Sequence, residues 1–263
     1  MEVEVGGLRI AYEREGSGPP LVLVHGYVGD GKGTWGRQLE ALSDEFTIVV
    51  WDGPGAGRSS DPPESFDMSD FADCLAGFIA ALGLERPHLG GLSFGGGLAI
   101  EFYRRHPAIP RTLILAGAYA GWAGSLPPEV VRKRLTQAVS LADVPPERLV
   151  AEVVPTMFSP SAPAAMIEDF AANMSAFHPV GLRAMARAFA EADLREVLST
   201  IAIPTLLLYG DEDVRAPLDV AEAMRASIRE SKLVILPGVG HISSVEAADR
   251  FNDEVREFLR AVG

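Results

Sequence analysis

The sequence predicts an α/β fold: a mostly parallel central sheet flanked by helices. Three observations carry that expectation. Five short, largely apolar runs, at 21–24, 47–51, 112–116, 205–209 and 232–236, read as strands, and the most continuous of them as strands buried on both faces. Helical segments with apolar residues on one side lie between them, and such alternation calls for a parallel sheet with helical crossovers. The alternation stops between about 119 and 198, where Pro127, Pro128, Pro145, Pro146, Pro155, Pro160, Pro163 and Pro179 separate short helical segments. The expected organisation is a core of residues 1–118 and 199–263 with a helical insertion at 119–198.

Residues 2–14 alternate through Val3, Val5, Leu8, Ile10 and Tyr12 around Gly6-Gly7, which predicts a hairpin with a glycine turn. The run 21–24 leads into His25-Gly26-Tyr27-Val28-Gly29 and then a helix from around Trp35 to Leu42. The run 47–51 ends in a glycine-rich loop from Asp52 to Ser59. Phe71, Leu75, Phe78 and Leu82 fall at helical spacing over 69–83, with Gly83 as the stop. A helix is expected over 98–106, ended by Pro107. Further helices are expected over 217–228 and 245–262, the last with Phe251, Val255, Phe258 and Leu259 on one face.

A chain of 263 residues is long enough to bury a sizeable core as one large domain with a small insertion. Its net charge of −13 argues against nucleic acid and anionic membranes as partners. The same charge mildly disfavours polyanionic substrates, unless a local basic pocket overrides it. A single cysteine, Cys74, excludes an internal disulfide and reads as a buried, inert thiol. The first five residues are acidic and strand-like rather than a signal peptide, and no stretch is long and apolar enough to span a membrane. A cytoplasmic monomer or homodimer acting on a small molecule is the expectation.

The chemistry centres on Gly91-x-Ser93-x-Gly95, the spacing of a nucleophile elbow. A serine at the tip of a tight strand-to-helix turn has a strained backbone, and its neighbours two residues away must be small. Gly96 and Gly97 are expected to let the following helix pack close to the sheet. A serine hydroxyl needs a base, and histidine, with its ordinary pKa of about 6.5, suits best. Of five histidines, His241 follows a strand in a glycine-rich loop at the catalytic end of the sheet. His88 lies at the other end of its strand, His106 at a helix end, His178 in the insertion, and His25 in a loop it is expected to shape. The carboxylate that orients the base should follow 205–209, where Asp211, Glu212 and Asp213 compete. The backbone N–H groups of Phe94 and Tyr27 are the expected oxyanion donors. Asp52 is expected to bond its own loop and Arg58 to pair with a nearby carboxylate. No metal and no cofactor is called for.

The motifs His25-Gly26-x-x-Gly29, Asp52-x-Pro54-Gly55-x-Gly57-Arg58-Ser59, Gly91-Leu92-Ser93-Phe94-Gly95-Gly96, Gly210-x-x-Asp213 and Gly240-His241 together resemble the α/β-hydrolase superfamily, in its order and across the whole core. The resemblance implies a Ser93–Asp213–His241 triad, deciding for Asp213 where the residues alone left three carboxylates, and a helical cap over 119–198. Serine at the elbow departs from the haloalkane dehalogenase and epoxide hydrolase branches, which carry aspartate there. The elbow, with His241-Ile-Ser-Ser-Val-Glu246 and Phe251-Asn252, is similar to 3-oxoadipate enol-lactonases. Their substrates are anionic, whereas the insertion carries seven Lys/Arg against nine Asp/Glu. Trp122, Met157, Phe158, Phe170, Met174 and Phe177 are candidate pocket residues, about half of them expected only to pack the cap onto the core. The implied activity is hydrolysis of carboxylic esters or lactones through an acyl-enzyme. C–C bond or thioester cleavage, perhydrolysis and ligand reception without turnover are the alternatives on the same fold.

Overall fold

The computed structural model describes residues 1–174 and 178–262. Its sheet has eight strands: β1 (Glu2–Val5), β2 (Leu8–Glu15), β3 (Pro20–Val24), β4 (Thr47–Trp51), β5 (His88–Leu92), β6 (Thr112–Ala116), β7 (Thr205–Gly210) and β8 (Ser231–Leu236). Their order is β1-β2-β4-β3-β5-β6-β7-β8. β1 and β2 form the expected hairpin, β2 runs antiparallel to β4, and every pairing from β4 to β8 is parallel.

Four of the five apolar runs are buried on both faces, because side chains alternate across each strand and both faces are covered; the edge strand β8 is only partly buried. Val22 and Val24 of β3 and Leu113 and Leu115 of β6 join one core cluster, with Phe71, Leu75, Phe78 and Phe102. Leu21, Leu23 and Ile114 face the other, with Trp35, Leu39, Phe251 and Val255. The helices that supply these residues are α1 (Gly31–Leu42), α2 (Met68–Ala81), α3 (Phe94–Arg105) and, at the end of the chain, the helical region from Ser243 to Ala261. α1 starts before the first apolar position because Asp30 caps it, accepting from the Gly33 amide at 2.6 Å. Asp67 and Asp70 form a reciprocal capping box for α2. Both starts are polar signals outside the apolar periodicity.

Two helices differ from expectation. α3 begins at Phe94, directly after the elbow, so three consecutive glycines lie inside its first turn despite their poor helix propensity. The close approach explains Gly97: a Cβ there would lie 2.4 Å from the Phe189 ring, so this glycine admits the insertion rather than the sheet. The last helix is interrupted at Ala247 (φ −128°, ψ 47°), with a short turn, Ser243–Glu246, before Ala248–Ala261. The short turn is held from outside: the Ser244 hydroxyl donates to Thr34 O, and Gln38 Nε2 donates to both Ser244 O and Asn252 Oδ1.

Between β6 and β7 the described residues contain helices and no strand. In chain order these are α4 (Pro128–Leu141), α5 (Pro146–Val153), a 3₁₀ turn at Val154–Thr156, α6 (Ala164–Asn173), α7 (Pro179–Glu191) and α8 (Arg195–Leu198). The remaining elements are α9 (Leu218–Ser227), α10 (Ser243–Glu246) and α11 (Ala248–Ala261). Phe189 on α7 sits edge-on to Phe94 (5.5 Å) and Tyr119 (5.7 Å), which docks the insertion on the start of α3. Among the described residues no helix is long and apolar enough to cross a membrane.

His88 opens β5, buried, with Nδ1 2.9 Å from Thr112 Oγ1. Burial, with the Arg111 charge adding, pushes its pKa down to about 4. The unfolded chain therefore binds a proton that the folded chain refuses, and stability present above about pH 6.5 is lost as pH falls towards 4. The full loss is on the order of 3 kcal/mol. Denaturant unfolding at pH 7 and pH 4.5 should show a steeper loss in the parent chain than in His88→Gln; equal losses would refute the assignment.

Candidate active site

The expected groups converge at the carboxyl edge of the parallel strands. Ser93 follows β5 directly, with φ 55° and ψ −111°. That conformation costs a non-glycine residue about 1–3 kcal/mol. It is pinned by Ser93 N–H donating to Ala116 O (2.9 Å) and by Gly97 N–H donating to Ser93 O (3.1 Å). The turn closes so tightly that a Cβ on Gly91 would lie 2.1 Å from Gly95 O, and one on Gly95 would lie 2.3 Å from Val24 O. The two glycines of the motif are thus required by steric exclusion.

The loop after β7 presents three carboxylates with different fates. Asp211 is exposed and accepts from the Gly238 amide at 2.6 Å, a turn contact, and Glu212 is exposed. Asp213 is buried, and its Oδ2 lies 2.8 Å from His241 Nδ1. Its Oδ1 accepts from the Arg215 and Ala216 amides, each at 2.8 Å, so the carboxylate is held from three directions. A carboxylate at Nδ1 favours the tautomer protonated there and leaves Nε2 as the basic nitrogen. His241 packs beside the elbow: a Cβ on Gly117, the residue after the one that accepts from Ser93 N–H, would lie 3.0 Å from its ring.

The loop after β3 closes over Ser93, since a Cβ on Gly26 would lie 3.8 Å from Ser93 Cβ. Neither the Tyr27 amide nor the Phe94 amide has an acceptor among the described residues; Phe94 directly follows the serine, and Tyr27 directly follows Gly26. His25 shapes this loop. Its Nδ1 faces Gly26 O at 2.5 Å while Nε2 accepts from Gly53 N–H at 2.9 Å, and burial lowers its pKa. Asp52 accepts from the Gly31 and Arg58 amides, each at 3.1 Å, and the Arg58 guanidinium reaches Glu13 at 2.7 Å. Both residues are occupied with loop structure. Among the described residues no three His, Cys, Asp or Glu side chains converge as metal ligands would.

The candidate pocket residues divide. Trp122 lies between Tyr27 (5.6 Å) and Phe189 (5.4 Å), joining the loop after β3 to α7. Phe158 and Phe170 pack edge-on at 5.5 Å and, with Met157 and Met174, fill a buried cluster shared with α1 and α11. Phe177 lies outside the described residues. A cavity of about 170 Å³ beside Tyr27 is lined instead by residues the sequence reading did not single out, among them Arg134, Gln137, Thr156 and Arg215. Arg215 stands two residues after Asp213, which is the only sequence signal that pointed to it.

Glu246, just before the break at Ala247, ties the insertion to the His241 loop. Its carboxylate accepts from Gly240 N–H (2.8 Å), from Ser159 N–H (3.2 Å) and from the Ser159 hydroxyl. Removing it strands the Gly240 and Ser159 amides in a partly buried site, while the Ser159 hydroxyl keeps Ser161 Oγ at 3.1 Å, at a cost of about 1–3 kcal/mol. Glu246→Ala should lower the thermal midpoint by roughly 3–10 °C, and Glu246→Gln, which keeps one acceptor oxygen, by less. Thermal unfolding of the two variants checks this; an unshifted midpoint in Glu246→Ala would show that the contacts add nothing.

Comparison with known proteins gives the family and the fold. The alpha/beta hydrolase family model matches residues 21–254. A thermophilic esterase from Thermogutta terrifontis, described with malate bound, is similar at a TM-score of 0.92 and 33% identity, over 100% of this chain and 99% of that one. The enol-lactonase from Burkholderia xenovorans shares the fold, at a TM-score of 0.89 and 24% identity over 99% of this chain and 100% of its own. A Bacillus subtilis protein named for the AB hydrolase superfamily is 29% identical over 247 residues, 92% of each chain. Matched from its third strand into its last helix, and sharing a third of its residues with that esterase over the full length, the chain belongs to the alpha/beta hydrolase family.

Proposed function

We propose that the protein hydrolyses carboxylic esters or lactones through an acyl-enzyme formed on Ser93. The observation that carries this reading is the buried Asp213–His241 hydrogen bond set beside a serine held at positive φ. His241 Nε2 takes the hydroxyl proton as Ser93 Oγ attacks the carbonyl. The oxyanion then accepts from the Tyr27 and Phe94 amides, whose lack of another acceptor supports that role. His241 returns the proton to the leaving alkoxide. A water deprotonated by the same nitrogen then releases the acid. Asp213 keeps its hydrogen bond to Nδ1 and stabilises the imidazolium.

Residues 119–198 act in this reading as a cap over the site, with Trp122 as the aromatic wall nearest Tyr27. The esterase and enol-lactonase among the relatives favour an ester or lactone over a C–C bond or thioester.

The test is burst kinetics on p-nitrophenyl esters and simple lactones. Ser93→Ala should lose at least about 10³-fold in kcat with its fold intact. Asp213→Asn should lose about 10³–10⁴-fold, because the amide favours the wrong tautomer of His241. Retained turnover in Ser93→Ala would refute the mechanism. Labelling of Ser93 by a fluorophosphonate without turnover of any ester or lactone would exclude this substrate class and favour C–C cleavage or reception.

A further inference from the structure

We propose that Arg215 and Arg134 form a carboxylate-binding subsite beside the loop that carries Tyr27, so that the preferred ester or lactone bears a carboxylate. The substrate class rests on the serine-hydrolase reading above; the anion site itself rests on the geometry of the two guanidinium groups.

Arg215 comes from the loop after β7 and Arg134 from α4, two segments remote in sequence that meet at the cavity of about 170 Å³. Arg215 Nη1 donates to Thr156 Oγ1 (2.8 Å) and Nη2 to the Tyr27 hydroxyl (2.9 Å). Arg134 Nη1 donates to the Tyr119 hydroxyl (3.0 Å) and Nη2 to Arg215 O (2.9 Å). Every one of these acceptors is neutral. Among the described residues no carboxylate lies within ion-pair distance of either guanidinium. Both residues are half-buried, in a chain with thirteen more acidic than basic side chains. The two cations line one cavity without an ion-pair partner among the described residues; Asp213 acts on Arg215 only at longer range, and an aromatic ring lies 5.8 Å from each guanidinium, so an anion entering the cavity would be their first direct counter-charge.

The acids nearby are engaged elsewhere. Glu152, on the cavity rim, pairs with Arg148 at 2.9 Å, and Asp213 is committed to His241 and to backbone amides. Each guanidinium has five N–H donors in a planar fork that matches a carboxylate. Two are used by Arg215 and two by Arg134 in the contacts above, so donors remain on both. A space near 150 Å³ accepts a ring of six carbons, which sets the ligand as a short acid arm rather than a long chain. Tyr27 joins the two halves of the site: its hydroxyl is held by Arg215, and its amide, without an acceptor among the described residues, follows Gly26, where a Cβ would lie 3.8 Å from Ser93 Cβ. A substrate reaching from Ser93 past Tyr27 would present its carboxylate to the arginines.

The test compares mono-p-nitrophenyl glutarate with its neutral counterpart p-nitrophenyl valerate, after subtraction of the uncatalysed rates. The expected ratio of kcat/KM, glutarate over valerate, is tenfold or more in the parent chain. It should fall at least tenfold in Arg215→Gln and in Arg134→Gln, chiefly through KM, with Arg134→Lys intermediate. Free glutarate should inhibit valerate turnover, and neutral glutaramide should not. A parent ratio near one, or variants that lower both rates together and leave the ratio unchanged, would overturn the proposal and leave the arginines as a structural latch. Should neither ester be turned over, the failure belongs to the serine-hydrolase reading. Calorimetric titration of glutarate into the parent chain and Arg215→Gln then decides the anion site: binding weakened at least tenfold by the substitution upholds it, and no binding to the parent chain overturns it.

Discussion

A serine held at φ 55° between β5 and α3 is the constraint on which the neighbouring structure depends. The turn is possible only where Gly91 meets Gly95 without side chains between them, and where Gly95 in turn meets the backbone at the end of β3. That contact fixes the height of α3 over the sheet. The height sets where Phe94 points, and Phe94 packs on Phe71 of α2 and on Phe189 of α7. A strained residue persists when its surroundings over-determine it. Here the surroundings include α2 and α7, both packed on the residue next to the serine.

The polar groups at the carboxyl edge follow a common pattern of local satisfaction. Asp213 is filled by two amides of its own loop and by His241; Asp52 is filled by amides on both sides of its loop. His25 bridges two loops as a neutral ring, kept uncharged by burial. Buried polar atoms bound in this way are oriented as well as compensated, since in a low dielectric a misplaced partner is costly. The Tyr27 and Phe94 amides stand out against that background as donors without an acceptor among the described residues.

The insertion is joined to the core by contacts of different kinds at its two sides. An aromatic series, Tyr27, Trp122 and Phe189, runs from the loop after β3 to α7. On the other side Glu246 binds Ser159, and Ile242 N–H donates to Met157 O at 3.0 Å, so the His241 loop is tied to the segment after the 3₁₀ turn. A chain of net charge −13 nevertheless gathers two guanidinium groups between these attachments. Net charge describes the average surface; the composition of one cavity depends on which helices reach it.

Much of the frame was legible in the order of residues alone. Continuous apolar runs report burial on both faces for β3, β4, β6 and β7, because a strand exposed on one side must alternate, while the edge strand β8 is only partly buried. The Gly-x-Ser-x-Gly spacing reports a steric requirement two residues either side of the serine, and the positions of His241 and Asp213 after strands report the end of the sheet. What tertiary structure decided were relations between segments far apart in the chain. Periodicity shows that a residue is apolar on one face, without showing what lies opposite, so Gly97 was read as sheet contact when its neighbour is Phe189, ninety-two residues on. The interruption at Ala247 follows from Glu246, Ser244 and Asn252 bonding to partners on other elements, which no helical pattern encodes. Among Asp211, Glu212 and Asp213 the residue types are equivalent as acids, and only the folded loop makes one of them the neighbour of His241. Arg134 and Arg215 are ordinary surface residues by composition; their pairing exists because α4 and the loop after β7 are brought to the same cavity.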